Sequence, residues 1–285
     1  MSGLRVLAFG MGFTLQDKGR RCLAKYGVPA SGAMDSFARY WANALLGNDV
    51  SAPVIECLMS GAEFEVLEKN WFCFCGATSF RKMPAWRPVE LDQGETISLS
   101  YPDSGVWSYI AVAGGWQTER VLGSASAYGG GFLGKVWQKG DLIEANPAAF
   151  RFSDQVSGKY LSAAKIPIYK EQNTLRIWPG PQWDCLVPCE HKQIFSETWK
   201  ITAQCDRVGY RLQGNPLMSD VKELISEPML PGTMQLPANG QPIITMRDGP
   251  TVGGYPKIAV LEEEDIARLA QMQPGQSVRF EPMRK

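Results

Sequence analysis

Histidine is almost missing from this chain, with His191 the single example in 285 residues. Any mechanism built on two or three imidazoles is therefore excluded, including the histidine-rich zinc and non-haem iron sites. Net charge is missing too: 29 Lys+Arg balance 29 Asp+Glu, and no basic cluster exceeds pairs such as Arg20-Arg21. Without a net field, nucleic acid and anionic membrane surfaces are not expected partners. No apolar stretch approaches the ~20 residues of a membrane span. Leu4 to Phe9 is too short for a secretory signal, and its basic residues follow it rather than precede it. The seven cysteines are odd in number and scattered, unlike a disulfide framework. Reduced thiols and a cytoplasmic location are the expectation, with carboxylates, guanidinium groups and amides left to carry the chemistry.

What is present is a packed globular composition, 45% hydrophobic and 20% charged, cut by 29 Gly and 19 Pro. These residues separate short β-type runs: Leu4 to Phe9, Glu63 to Leu67, Trp71 to Cys75, Thr96 to Ser100, Trp107 to Val112, Leu175 to Trp178, Ile243 to Met246 and Ser277 to Phe280. The chain reads as mainly β. Two helices interrupt it. Met34 to Leu46 carries Phe37, Tyr40, Trp41, Ala44 and Leu45 at helical spacing, with Ser31 or Asp35 as cap and Gly47 as stop. Glu264 to Gln271 is the second.

Three landmarks recur in order. Leu4-Arg5-Val6 returns as Leu175-Arg176-Ile177, each followed by a Gly-rich turn and an acidic residue, Asp17 or Asp184. Glu56 to Gly61 is matched by Glu227 to Gly232, and the turn Leu91 to Glu95 by Met272 to Gln276. Two related β domains are expected, residues 1–170 and 171–285, with extra material from about Tyr101 to Lys170 that holds the run Gly129-Gly130-Gly131.

Several constellations have chemical potential. Gln16-Asp17-Lys18-Gly19-Arg20 places an amide, a carboxylate and a guanidinium in one turn, a set that can bind a small anion or simply tie the loop to itself. Ser31 to Asp35 enters the first helix, whose N-terminal amides attract an anion or need only a cap. Ala113-Gly114-Gly115, Gly123-Ser124 and Gly129 to Gly131 supply turn amides suited to oxyanions, although turns alone also explain them. No P-loop pattern occurs. In Cys205 to Leu212, Arg207 and Arg211 share a face if the segment is extended, so both can grip one carboxylate, or they pair as a salt-bridged strand. Asp248, beside the Gly253-Gly254 turn, suits proton transfer, orientation or an Asx turn. Cys185, Cys189 and His191 lack a fourth zinc ligand, so no metal is expected. Cys73 and Cys75 alternate with Phe72 and Phe74 in a run apolar on both faces and read as buried.

Taken together, these residues resemble one family. Gln16 to Arg20, Ser31 to Asp35, Ala42-Asn43, Leu46-Gly47-Asn48, Ala113 to Gly115, Leu122-Gly123-Ser124, Gly180-Pro181-Gln182, Asp206 to Leu212, Gly232 to Pro237 and Gly253 to Pro256 follow the order seen in the allophanate hydrolase subunit 2 family. The resemblance runs from Val6 to Phe280. That family includes the C subunit of bacterial 5-oxoprolinase and the carboxyltransferase part of biotin-dependent urea carboxylase. The resemblance implies two tandem cyclophilin-like β-barrel domains. It also implies a component of an ATP-dependent 5-oxoprolinase that activates the lactam for hydrolysis to glutamate, working with the B and A subunits and with ATP and Mg held mainly by the partner. The alternatives are a carboxyltransferase component acting on urea or a similar amide, with biotin carried on another chain, and a non-enzymatic regulatory partner of a kinase-inhibitor subunit. The residues implied are Asp17 and Asp248 as catalytic groups, with Gln16, Arg20, Ser124, Arg207, Tyr210 and Arg211 binding substrate. The chain departs from the family in one place, reading Gly123-Ser124-Ala125-Ser126-Ala127 where relatives commonly carry Gly-Ser-Arg-Ser-Thr.

Overall fold

The computed structural model describes residues 2–59, 61–77, 80, 83–147, 156–170, 173–221 and 223–283. The chain divides into two compact units, Met1–Arg20 with Ser31–Ile168, and Arg21–Ala30 with Tyr169–Lys285. The mainly β architecture is as expected, with three helices of the α type among the described residues.

The first unit is built from β1 (Gly3–Phe9), β2 (Phe13–Gln16), β3 (Val54–Leu58), β4 (Ala62–Val66), β5 (Asn70–Gly76), β6 (Pro88–Leu91), β7 (Thr96–Ser98), β8 (Trp107–Val112) and β9 (Leu142–Glu144). They form a four-stranded sheet, β7-β4-β1-β9, and a five-stranded sheet, β2-β3-β8-β5-β6. Leu4, Val6, Phe64, Phe72, Phe74 and Ile110 meet in one core. The central strand β8 is buried at all six positions, as a strand covered on both faces must be. β8 and β9, which lie inside the stretch expected to be extra material, are strands of the two sheets of this unit.

Helix α1 (Ser36–Leu46) covers β5 and β8. Its start is capped by Asp35, whose carboxylate accepts from the Ala38 N–H at 2.9 Å, and Gly47 ends it at φ 71°. Ser31 is not the cap. The face that packs is also not the aromatic one: Ala38, Ala42, Asn43, Leu45 and Leu46 are buried, while Phe37 and Tyr40 are exposed. Small residues let the helix approach the sheet, and the aromatic rings pack among themselves, Tyr40 against Trp41 at 5.5 Å and Phe37 against Trp86 at 6.0 Å. Cys73 and Cys75 sit on the β5 face opposite to Phe72 and Phe74, fully buried as their alternation implied.

The second unit contains β10 (Thr174–Pro179), β11 (Trp199–Cys205), β12 (Gly209–Gln213), β13 (Glu227–Pro228), β14 (Thr233–Gln235), β15 (Ile243–Thr245), β16 (Val252–Gly253), β17 (Lys257–Leu261) and β18 (Ser277–Pro282). Seven of them close a barrel, β10-β17-β14-β15-β12-β11-β18, and β13 pairs with β16 as a separate ribbon. Helix α2 (Glu190–Ser196) has no side-chain cap, which is why no start signal marks it in the sequence. Helix α3 (Glu263–Ala270) lies one residue from its expected span and buries Ile266, Leu269 and Ala270.

The third repeat landmark is one turn built twice. Asp92 N–H donates to Glu95 Oε2 at 2.6 Å, and Gln273 N–H to Gln276 Oε1 at 2.6 Å. Gly94 and Gly275 take φ 83° and 88°, a conformation that glycine adopts without a Cβ clash. The flanking strand is gripped alike in both: Gly94 N–H reaches Val66 O and Gly275 N–H reaches Ile201 O, each at 2.8 Å.

Candidate functional site

In the first unit, β2 ends at Gln16 and delivers Asp17 to the segment 124–127. The Asp17 carboxylate is 3% exposed and accepts from four donors. Oδ1 takes the Ser124 hydroxyl at 2.5 Å, the Ser126 hydroxyl at 2.7 Å and the Gly19 N–H at 2.8 Å; Oδ2 takes the Ala125 N–H at 2.8 Å. Arg120, which no sequence motif singled out, stands 3.5 Å from Oδ2. Burial by itself would push this carboxyl up, but the Ser124 hydroxyl, then the Ala125 N–H, the Ser126 hydroxyl and the Gly19 N–H, hold it below its ordinary value. A low-pKa carboxylate with its lone pairs occupied is a poor proton acceptor and a good organiser of a loop. Asp17 therefore suits anchoring rather than proton transfer.

Its neighbours complete the anchor. Gln16 Nε2 donates to Thr14 Oγ1 at 2.9 Å and to Ala127 O at 3.1 Å, and Arg20 donates to Ser126 O at 2.6 Å. Gln16, Asp17, Arg20 and Ser124, expected together from one motif and one distant serine, do meet. Where the family carries arginine, the Ala125 methyl is buried, and its backbone N–H still reaches Asp17.

The amides at the entry to α1 meet a cap, Asp35, and also a carboxylate of the protein's own. Glu56, fully buried, accepts from the Met34 N–H at 2.7 Å and from the Tyr109 hydroxyl at 2.9 Å, and the Asp35 N–H donates to Tyr109 Oη at 2.7 Å. Burial first, then the charges of Glu56 and Asp35, push the Tyr109 phenol well up, so it stays protonated and donates.

Several amides of the Gly-rich turns likewise donate within the protein. Gly114 N–H donates to Asn48 Oδ1, Gly115 N–H to Val112 O, Ser124 N–H to Val121 O and Phe132 N–H to Gly129 O. Phe132 ends the Gly129–Gly131 turn at φ 54°, 93% exposed, at the edge of a cleft of about 730 Å³ that Val121, Trp137 and Leu142 also line.

In the second unit, Arg207 lies in the turn between β11 and β12, not in a strand, so the expectation that it shares a strand face with Arg211 does not apply. Its guanidinium forks onto Asp248, Nε to Oδ2 at 2.7 Å and Nη2 to Oδ1 at 3.0 Å, and the Asp248 N–H returns to Arg207 O at 2.7 Å. Tyr210 points into the barrel and donates to Ala270 O at 3.0 Å. Arg211 is exposed on β12 with no partner among the described residues. Within this unit, Arg207 and Asp248 come together, while Tyr210 serves the core. His191 stacks on Trp183 at 4.8 Å.

The same framework recurs in known proteins. The pattern described as "Carboxyltransferase domain, subdomain A and B" matches residues 26–282. The chain belongs to this family. It is 34% identical to the C subunit of 5-oxoprolinase from Escherichia coli (strain K12), over 97% of this chain and 90% of that protein. It is 27% identical to urea amidolyase of Saccharomyces cerevisiae, over 95% of this chain and 16% of that protein. Among solved structures, TTHA0988 superposes with a TM-score of 0.86 at 28% identity, covering 99% of this chain and 56% of that one. The K. lactis urea amidolyase superposes with a TM-score of 0.87 at 24% identity, covering 99% of this chain and 19% of that one. This carboxyltransferase-type chain thus spans most of the bacterial relative, about half of TTHA0988 and under a fifth of the urea amidolyases. No helix among its described residues is long and apolar enough to cross a membrane.

Proposed function

We propose that this chain is the C subunit of an ATP-dependent 5-oxoprolinase, acting on 5-oxoproline together with companion B and A subunits. The observation that carries the reading is the near full-length match to a protein of that name, 34% identical with 90% of it covered. In this reading ATP and Mg are held mainly by a companion subunit. Asp17 orders the 124–127 loop, the Arg207–Asp248 fork orders the β11–β12 turn, and Arg211 is the guanidinium available to a substrate carboxylate. Co-expression with the B and A subunits, followed by an assay of ATP turnover with and without 5-oxoproline, tests the reading. Turnover that depends on 5-oxoproline and on this chain is expected; turnover indifferent to 5-oxoproline ends it.

A second reading has its own observation, the alignment of nearly the whole chain with urea amidolyase. Under it the chain transfers a carboxyl group to urea or a similar amide from biotin carried on another polypeptide. Urea-dependent bicarbonate fixation in the presence of a biotinylated partner would favour it.

A further inference from the structure

In the first unit, segment 116–121 runs beside β9 and then leaves it. Trp116 bridges Ala145, and the Gln117 N–H donates to Glu144 O at 2.8 Å. Past that point the two stretches part, and Thr118, Glu119 and Val121 line the cleft of about 730 Å³ together with Leu142 and Glu144. β9 is the last strand of its sheet, paired through Leu142 with Arg5 of β1. Backbone groups two residues apart on a strand point the same way. The Leu142 N–H and C=O therefore face away from β1, as Glu144 O does, and among the described residues no strand takes them up. An unpaired strand edge beside a cleft is a template for one more extended chain.

The side chains around the cleft say what that chain must carry. Val121, Trp137 and Leu142 supply apolar walls, and Phe132, 93% exposed, stands at the rim. Such a ring offers an aromatic surface that water does not favour and that a partner covers. The charges are one-sided. Neither Glu119 nor Glu144 has an ion pair among the described residues. The nearby cations are committed elsewhere: Lys135 Nζ lies 4.2 Å over the Trp137 ring and 3.9 Å from Asp141, and Arg120 turns to Asp17. The cleft thus presents two open carboxylates to whatever enters it, which favours a cation set between apolar groups and disfavours an acidic one.

We propose that this cleft is a docking site for an extended segment of a partner polypeptide, which adds to the edge of β9 and carries a lysine or arginine between apolar residues. The surface lies wholly within the first unit and is independent of the 5-oxoproline and urea readings.

The probe is a capped, fluorescently labelled heptapeptide that alternates valine and threonine about a central arginine, titrated into the full chain by anisotropy. Its control carries glutamate at the centre. The arginine peptide should bind at least about tenfold more tightly than the control, and the preference should shrink as salt rises. Replacing both carboxylates, Glu119→Gln with Glu144→Gln, should remove the preference at an unchanged melting temperature, since neither side chain is buried. If the double variant does not fold, Glu119→Gln alone, at an exposed position, should still reduce it. N-methyl amides block strand pairing, so of two arginine peptides methylated on alternate residues, one in each phase, at least one should lose binding. No binding of the arginine peptide, equal binding of the control, a preference that survives in the folded variant, or full binding by both methylated peptides overturns the site. Displacement of the peptide by an equal concentration of arginine amide would make the cleft a small-cation site. Sedimentation of the unaltered chain as a dimer that Glu119→Lys dissociates would give it to a second copy. Either result also overturns the docking of a partner strand.

Discussion

The Ser124 hydroxyl donates to Asp17 Oδ1 at 2.5 Å across 107 residues of chain, and both groups are buried. This bond fastens the loop after β2 to the segment 124–127, and it is made to a charge. Hydrogen bonds to ionised groups contribute more than neutral ones, so Ser124→Ala should destabilise the first unit by roughly 2 kcal/mol, or about 4–8 °C in Tm. Urea denaturation against the unaltered chain measures it. A loss within experimental error would mean the other three donors suffice.

The same carboxylate sets a pH dependence. Asp17 and Asp265 both lie below their ordinary value of 3.8. Burial opposes the shift of Asp265, but the Arg176 side chain and N–H and then Arg268 outweigh it. A carboxyl whose folded pKa is lower than its unfolded one stabilises fully above the unfolded value and loses that contribution as pH falls through the folded one. Stability should thus be flat near neutrality and fall below about pH 4. Asp17→Asn and Asp265→Asn should each lower stability at pH 7 and flatten the acid limb. An acid limb of unchanged slope in both variants would show that other carboxyls dominate.

Arg207 and Asp248 form a two-bond fork with side chains 15% and 8% exposed. Lysine replaces a planar fork by a point charge, so Arg207→Lys should cost about 1–2 kcal/mol. Arg207→Ala, which leaves a buried carboxylate without its charge partner, should cost about 3 kcal/mol. A double-mutant cycle with Asp248→Asn isolates the coupling. Combined with substrate-dependent turnover, it separates a loop lock from a substrate ligand: a lock lowers Tm first, whereas a ligand lowers turnover at unchanged Tm.

Tyr109 bridges Asp35 N–H and Glu56 at the start of α1. Tyr109→Phe removes one acceptor and one donor from a dry site and should cost about 2–3 kcal/mol. Hydrogen exchange should locate the loss at the first turn of α1. A global Tm shift without faster exchange there would assign the cost to core packing instead.

Local physics was legible in the chain itself. Runs of β-branched and aromatic residues between Gly and Pro marked eight strands, because turn chemistry and side-chain alternation act over a few residues. Asp35 and Gly47 bounded α1 for the same reason, and the Gly94 and Gly275 turns could be matched because a positive φ requires that residue type. Gln16 to Arg20 was recognisable as polar groups in one turn. Side-chain partners were not legible. That Arg207 reaches Asp248, that Ser126 and Arg120 join Asp17, that Glu56 occupies the helix start, and that Gln235 faces Lys257 all depend on strand register and closure between residues 22 to 109 positions apart. The aromatic residues of α1 show the limit most plainly. Phe37, Tyr40 and Leu45 stood at helical spacing in the sequence, yet of these only Leu45 is buried, beside Ala38 and Ala42, a choice made by the space between packed elements.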